Sequence, residues 1–366
     1  WIYDITTELA GELGQSLSVA RLYADQPPSQ IAEAFVAGRM TPLVPAPKID
    51  DDSIRGFSNI VALAGAEAIS VALASGADIV LAGRTTDTAV ISALPIQNGD
   101  NAGGAWHGAK IAECGAFCST NPGSGVILVE FDENGFTVEA MAEDAICTPH
   151  SVSAHMLYEN VDPYILYEPG GHLDVTAATY SAQSNRRVRV EGSAWVPSDT
   201  YTVKLEAAHI AGYQTTMMAI IRDAHYVKNS LLWIERLTRF LHDKIADCTN
   251  LGINDYTLEF RLIGVNAALG RYENRQPTSD SMPVEVGVLL IITASDQTIA
   301  TDLSKLINPF LLHFPLSEQE DLPTFAFPYS PAHSDRGALY EFALNHVLTL
   351  DQPMDAFSLK LSQIPE

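Results

Sequence analysis

In the first third of the chain, apolar and polar positions switch repeatedly between helical spacing and strand-like runs. Residues 5–14 repeat at helical spacing and close on Gly14, residues 17–23 form an extended apolar run, and residues 29–37 predict a short amphipathic helix. A loop rich in proline and acid fills residues 41–52, long enough to serve as a lid or a binding loop. Small side chains at Ala62, Gly65, Ala66 and Ala72 predict one helix over residues 58–74 that packs closely on a sheet. Residues 78–83 then predict a buried strand ending in glycine, and residues 89–94 the helix that follows it. This alternation predicts an α/β domain in which helices cover a mostly parallel sheet.

The texture changes after Gly125. Residues 126–131 and 136–140 flank Asp132-Glu-Asn134-Gly135, a hairpin signal through Asn-Gly. Further strands are predicted over residues 187–190, 201–205, 214–221, 257–265 and 284–293. Leu231, Ile234, Leu237, Leu241 and Ile245 define one amphipathic helix over residues 227–247. The second half therefore predicts an α+β domain. The resulting division is an α/β domain over 1–122, an α+β domain over 123–325 and a strand-rich C-terminal extension over 326–366 that packs on the second domain. The chain opens at Trp1 without a signal-peptide pattern, and the first domain reads as N-terminally incomplete.

Charge narrows the partners. A net charge of −24 over 366 residues repels phosphate from most of the surface, which argues against nucleic acid and anionic membranes. No apolar run reaches the roughly 18 to 20 residues of a membrane span. Four sparse cysteines suit a reducing compartment, and the chain reads as cytoplasmic. An acidic surface and small-residue helices are compatible with a homo-oligomer. Any anionic ligand must be held by local basic spots, of which Arg84, Lys110, the Arg186, Arg187 and Arg189 cluster, and Lys204 are the candidates.

Chemistry is predicted first at the strand-to-helix junction of residues 83–88. Gly83 lets a ligand approach the backbone, Thr85 or Thr86 caps the new helix, its free amides favour an anion, and Arg84 offers a planar donor fork. Asp87 is the group there that titrates usefully. The competing reading makes Arg84 and Asp87 a structural ion pair. In a second cluster His107, Lys110 and Cys114 share a helical face with Glu113 beside them, which suits a Cys–His nucleophile and base or a Glu–His acid and base; the competing reading is a small buried cysteine. In a third, Cys147 and His150 have a ligand-like gap with His155 beyond, but the second half of a zinc site is missing. Caps and core account for most of that cluster, and no metal is assigned; His150 remains a candidate site histidine. Glu168-Pro-Gly-Gly171-His172 is a tight turn that serves a ligand or reverses the chain, and Lys204 and Glu206 share a strand face from which they pair or reach a cleft. Phosphate-loop, dinucleotide, nucleophile-elbow and zinc-protease motifs are missing from the sequence.

Several phrases together resemble the acyclic terpene utilisation AtuA family over nearly the whole chain. They are Gly56-Phe-Ser-Asn-Ile-Val-Ala-Leu-Ala-Gly-Ala-Glu67, Ala77-Asp-Ile-Val-Leu-Ala-Gly-Arg-Thr-Thr-Asp-Thr-Ala89, Ala112-Glu-Cys-Gly-Ala116, Glu168-Pro-Gly-Gly171, Arg187-Val-Arg-Val-Glu-Gly192, Tyr201-Thr-Val-Lys-Leu-Glu206, Ala326-Phe-Pro-Tyr-Ser-Pro331 and Leu339-Tyr-Glu-Phe-Ala-Leu-Asn-His346. Family members usually begin with about a hundred further residues carrying a glycine-rich strand and loop. The resemblance implies a role in catabolism of acyclic terpenoids such as citronellol and geraniol, which proceeds through coenzyme A thioesters of branched acids. It carries over no catalytic residue.

The leading expectation is an enzyme acting on a branched or terpenoid acyl-CoA, or a related carboxylic acid, by hydratase or lyase chemistry. Residues 83–88 hold an anionic group and His107, Glu113 or Asp87 moves protons. The alternatives are a hydrolase or acyl transferase using Cys114, and a non-catalytic subunit of a catabolic complex. No cofactor is expected beyond coenzyme A as part of the substrate. Convergence of these polar residues on one concave pocket separates the enzyme readings from the subunit.

Overall fold

The apolar run Leu17–Tyr23 forms a strand that buries Val19, Ala20 and Leu22, and its two neighbours come from distant parts of the sequence. In the computed structural model, which describes residues 1–123, 125–274 and 282–364, this strand pairs antiparallel with Ser358–Ile364 and parallel with Ile79–Ala82. The chain divides into two units, Trp1–Ala208 with Phe342–Glu366, and His209–Glu341.

The expected mostly parallel sheet under helices is not what the first unit builds. Its strands lie in several small sheets and pair mostly antiparallel, so the fold is mixed α/β. One sheet has four strands in the spatial order Ile127–Phe131, Gly135–Ala140, Arg187–Glu191, Thr179–Ala182. Another joins Ala194–Pro197, Gly171–Asp174 and Ile165–Glu168. Parallel pairing occurs where Val19–Leu22 meets Ile79–Ala82, and again as a single bridge between Ala64 and Thr85. Two local strand-to-helix junctions imitate a parallel sheet, but strand direction is set by partners far along the chain, and such partners carry no local signal.

The expected helix over residues 58–74 is likewise corrected. Asn59–Ala62 alternates in exposure as a half-buried strand does and pairs antiparallel with residues 205–208, and the helix is confined to Ala66–Ala74. The hairpin through Asn134-Gly135 forms with Phe131 opposite Phe136.

The Ala102–Ala112 helix lies in the core of this unit, every residue from Gly103 to Ile111 being buried. Glycine makes that approach possible: a Cβ on Gly103 would sit 2.2 Å from the Ser193 carbonyl oxygen, and one on Gly104 2.7 Å from the Gly135 Cα. Trp106 stacks on Trp195 with ring centroids 4.8 Å apart.

In the second unit, Val286–Ala294 buries alternate residues and pairs antiparallel with Tyr256–Ile263 and with residues 213–221. Its core joins Val286, Val288, Leu290 and Ile292 to Leu237, Leu241 and Ile245 of the Ser230–Cys248 helix and to Leu303, Ile307 and Leu311 of the Gln297–His313 helix. Among the described residues no helix is long and apolar enough to cross a membrane.

Candidate active site

A two-residue reversal at Pro169-Gly170 sets Glu168 opposite Gly171 at the end of the Ile165–Glu168 strand. Gly170 has φ 79°, a left-handed backbone suited to glycine, and its Cα faces the Tyr201 ring. Gly65, at the start of the Ala66–Ala74 helix, is the second close approach: a Cβ there would lie 2.7 Å from both Pro169 Cβ and the Tyr201 hydroxyl. Tyr201 donates to Glu67 Oε2 at 2.8 Å and closes this bracket around the turn. The turn that follows Glu168 is thereby held between Gly65 and Tyr201. Gly65→Ala is expected to displace this turn and with it Glu168, and a shift of about 1 Å costs roughly 100-fold in turnover wherever the displaced group takes part in chemistry. Steady-state kinetics beside a circular dichroism melt checks this; an unchanged kcat rejects the positioning argument.

The Thr88 hydroxyl donates to Glu168 Oε1, and Thr86 offers a second hydroxyl. Both belong to the first turn of the Asp87–Asn98 helix, where Thr86 is the N-cap residue but leaves its hydroxyl out of capping. The first-turn threonines thus face the protein's own Glu168 carboxyl, where the sequence reading expects an external anionic ligand at residues 83–88. Glu168 Oε2 is closed off from solvent and has no hydrogen-bond partner among the described residues. Burial pushes the Glu168 pKa up to about 7 against the pull of the two threonines; the Glu113 charge adds to the rise and Lys110 opposes it.

Glu168 and Thr86 line a cavity of about 350 Å³ within the first unit. Leu43, Leu63 and Val347 supply apolar lining, and Lys204 supplies a cation. Leu43 comes from the loop that the sequence marks as a lid or binding loop, and its amide donates to the Asn345 carbonyl at 3.0 Å. Lys204 donates to Glu206 Oε1 at 2.9 Å, and Arg84 reaches Glu206 Oε2 at 3.3 Å. Burial raises the Glu206 carboxyl, but Lys204 and then Arg84 outweigh it and hold the group below its usual range. The three side chains together carry one net positive charge beside the cavity.

The sequence-predicted residues are placed as follows. Gly83 ends its strand with its amide on the Leu22 carbonyl at 2.8 Å, Thr85 forms the parallel bridge to Ala64, and Arg84 is half exposed, one ion pair removed from the cavity's Lys204. Asp87 is exposed at the first helical residue, and its charge raises the pKa of Glu113 and Cys114. Lys110 is buried and donates to Glu113 Oε1 at 2.5 Å and to the Tyr158 carbonyl at 2.8 Å. Burial raises the Glu113 carboxyl despite Lys110. The Cys114 thiol is pushed up by burial and then by Glu113, the direction opposite to an activated nucleophile. His107 lies in the core, with Nδ1 2.7 Å from Ser193 Oγ, Nε2 3.2 Å from the Tyr180 hydroxyl, and burial lowering its pKa to about 3. His150 is exposed on the Pro149–His155 helix, whose start is capped by Thr148 and Ser151.

The fold therefore gathers Thr86, Thr88, Lys110 and Glu113 around Glu168, through contact or through charge, and places His107 and His150 elsewhere. Among the described residues no group of three or more histidine, cysteine or acidic side chains is arranged to hold a metal ion. Glu168, Glu67 and Tyr201 are absent from the sequence-based site, although Glu168 stands in the phrase Glu168-Pro-Gly-Gly171. The turn is legible there; its contact with a helix start 80 residues earlier is not.

These features define a mixed α/β protein with a small-molecule cavity and a buried, titratable carboxyl in its wall. A family model described as acyclic terpene utilisation family protein AtuA matches residues 2–319, and the chain belongs to that family. Neither a curated protein nor a solved structure matches it.

Proposed function

We propose that the chain is an enzyme of acyclic terpene utilisation that binds a branched or terpenoid acyl group, as free acid or coenzyme A thioester, in this cavity and adds or removes water through Glu168. One observation carries the reading: a carboxyl with pKa about 7, one oxygen of it shut away from solvent, in the wall of a cavity with apolar lining. Such a group is acid and base in comparable amounts near neutral pH, the condition under which general acid–base catalysis is most effective.

In the hydration direction the Glu168 carboxylate takes a proton from water as its oxygen bonds to the β-carbon of an α,β-unsaturated acyl group. The same carboxyl then returns that proton to the α-carbon. Thr86 and Thr88 orient the carboxyl. Lys204, with Glu206 and Arg84 behind it, meets the anionic or carbonyl end of the acyl group. A volume of about 350 Å³ suits an acyl chain and leaves the nucleotide of a thioester outside.

The test is incubation of the purified chain in ¹⁸O-labelled water with branched unsaturated acids and their coenzyme A thioesters, read by mass spectrometry. Product carrying one labelled water, formed by the native chain and lost in Glu168→Gln, is the expected result; label incorporation of equal rate in both rejects the role of Glu168. On the same substrate Cys114→Ser is expected to keep turnover within about twofold, since the raised thiol is a poor nucleophile. Near-total loss in that variant would turn the reading to thiol chemistry.

A further inference from the structure

The second unit holds a cavity of about 1050 Å³ that the proposed reaction does not use. Its lining comes from the Ser230–Cys248 helix through Arg236 and Phe240, from the end of the Gln297–His313 helix through Phe310 and His313, and from the chain beyond through Phe314 and Leu322. The Phe240 ring centroid lies 4.8 Å from that of Phe310 and 5.1 Å from that of Phe314, so the three rings form one apolar wall. All three are only partly buried against the core, and Leu322 is 70% exposed. His313 is pinned, its Nδ1 2.8 Å from the Pro323 carbonyl oxygen.

Arg236 supplies a cation beside this wall. Its guanidinium donates to the Leu316 carbonyl, and among the described residues no carboxylate lies within 4.0 Å of it. Glu318 also lines the cavity without pairing to it. A guanidinium with unused donors beside an aromatic wall complements an anion that carries a hydrocarbon tail. A polyanion fits less well, since one guanidinium would face several charges in the presence of Glu318.

We infer that this cavity binds a monocarboxylate with a long apolar tail, its head on Arg236 and its tail along Phe240, Phe310 and Phe314. The volume accommodates a tail of roughly ten or more carbons. The assignment is independent of the reaction at Glu168.

Calorimetric titration of the whole chain with decanoate tests it, with 1-decanol as the uncharged control. Decanoate is expected to saturate a site that Arg236→Gln weakens about tenfold or more, the effect of losing a charge-assisted hydrogen bond. Leu322→Glu, at an exposed position, is expected to weaken decanoate similarly by repulsion, while decanol is insensitive to Arg236→Gln. Lys204→Met separates the two cavities and should leave this binding unchanged. Absence of saturable decanoate binding overturns the assignment, as does unchanged affinity in Arg236→Gln or loss of binding in Lys204→Met alone.

Discussion

Glu168→Gln is expected to lower turnover by about 10²–10⁴-fold and, at pH 8, to make the protein more stable than the native chain. Both effects have one origin. Burial lifts the Glu168 pKa from 4.5 to about 7, so between those values the folded chain retains a proton that the unfolded chain has released. Stability is therefore greatest below pH 4.5 for this group, falls as pH rises toward 7, and stays reduced above it. The difference amounts to about 3 kcal/mol, from about 1.4 kcal/mol for each pH unit of displacement. Glutamine is neutral throughout and avoids this loss. Denaturant unfolding at pH 5 and pH 8 checks the sign: the variant's advantage should appear at pH 8 and shrink toward pH 5, and a variant that is less stable at pH 8 contradicts the burial argument. A group whose removal stabilises the fold while abolishing activity is held there for chemistry rather than for folding.

The second large effect is expected at Lys110. Its side chain and that of Glu113 are 5% and 8% exposed and meet at 2.5 Å, so each charge depends on the other for what water would otherwise supply. Lys110→Met should destabilise the protein by about 3–5 kcal/mol, because the carboxylate of Glu113 remains buried without its partner. Replacing both, as Lys110→Met with Glu113→Leu, should recover most of that loss, since the desolvation penalty disappears with the charges. A double-mutant cycle by urea unfolding measures it, and equal losses in the single and double variants contradict the pairing argument. The single variant has a second signature. Lys110 opposes the rise of the Glu168 pKa, so the pH profile of turnover should move to higher pH without it.

How much of this was legible in the sequence differs residue by residue. The junction at residues 83–88 is legible, because an apolar run, a glycine and a threonine cap signal a helix start locally. That the start would hold Glu168 is not, because the contact joins Thr88 to a residue 80 positions later. His107 and Lys110 share the spacing of one helical face, yet His107 meets Ser193 and Tyr180 while Lys110 meets Glu113 and Tyr158. The Ala102–Ala112 helix is buried around nearly its whole circumference, and spacing identifies a functional face only when the opposite face is in water. The sequence offers Asp87 as an ion-pair partner for Arg84; the fold pairs Arg84 with Glu206, from a strand over a hundred residues away.

The sequence by itself determined the elements whose causes are local. The strand at Leu17–Tyr23, the hairpin at Asn134-Gly135 and the long amphipathic helix at Ser230–Cys248 follow from periodicity, turn chemistry and backbone preference within a few residues. Family membership was legible in the same way, from short phrases spread along the chain. Only the tertiary structure decided that the strands run mostly antiparallel and that burial raises the pKa of the glutamate beside the Pro169-Gly170 turn. Strand direction depends on which distant segments pair, and the pKa of a carboxyl depends on how much water those segments displace from it.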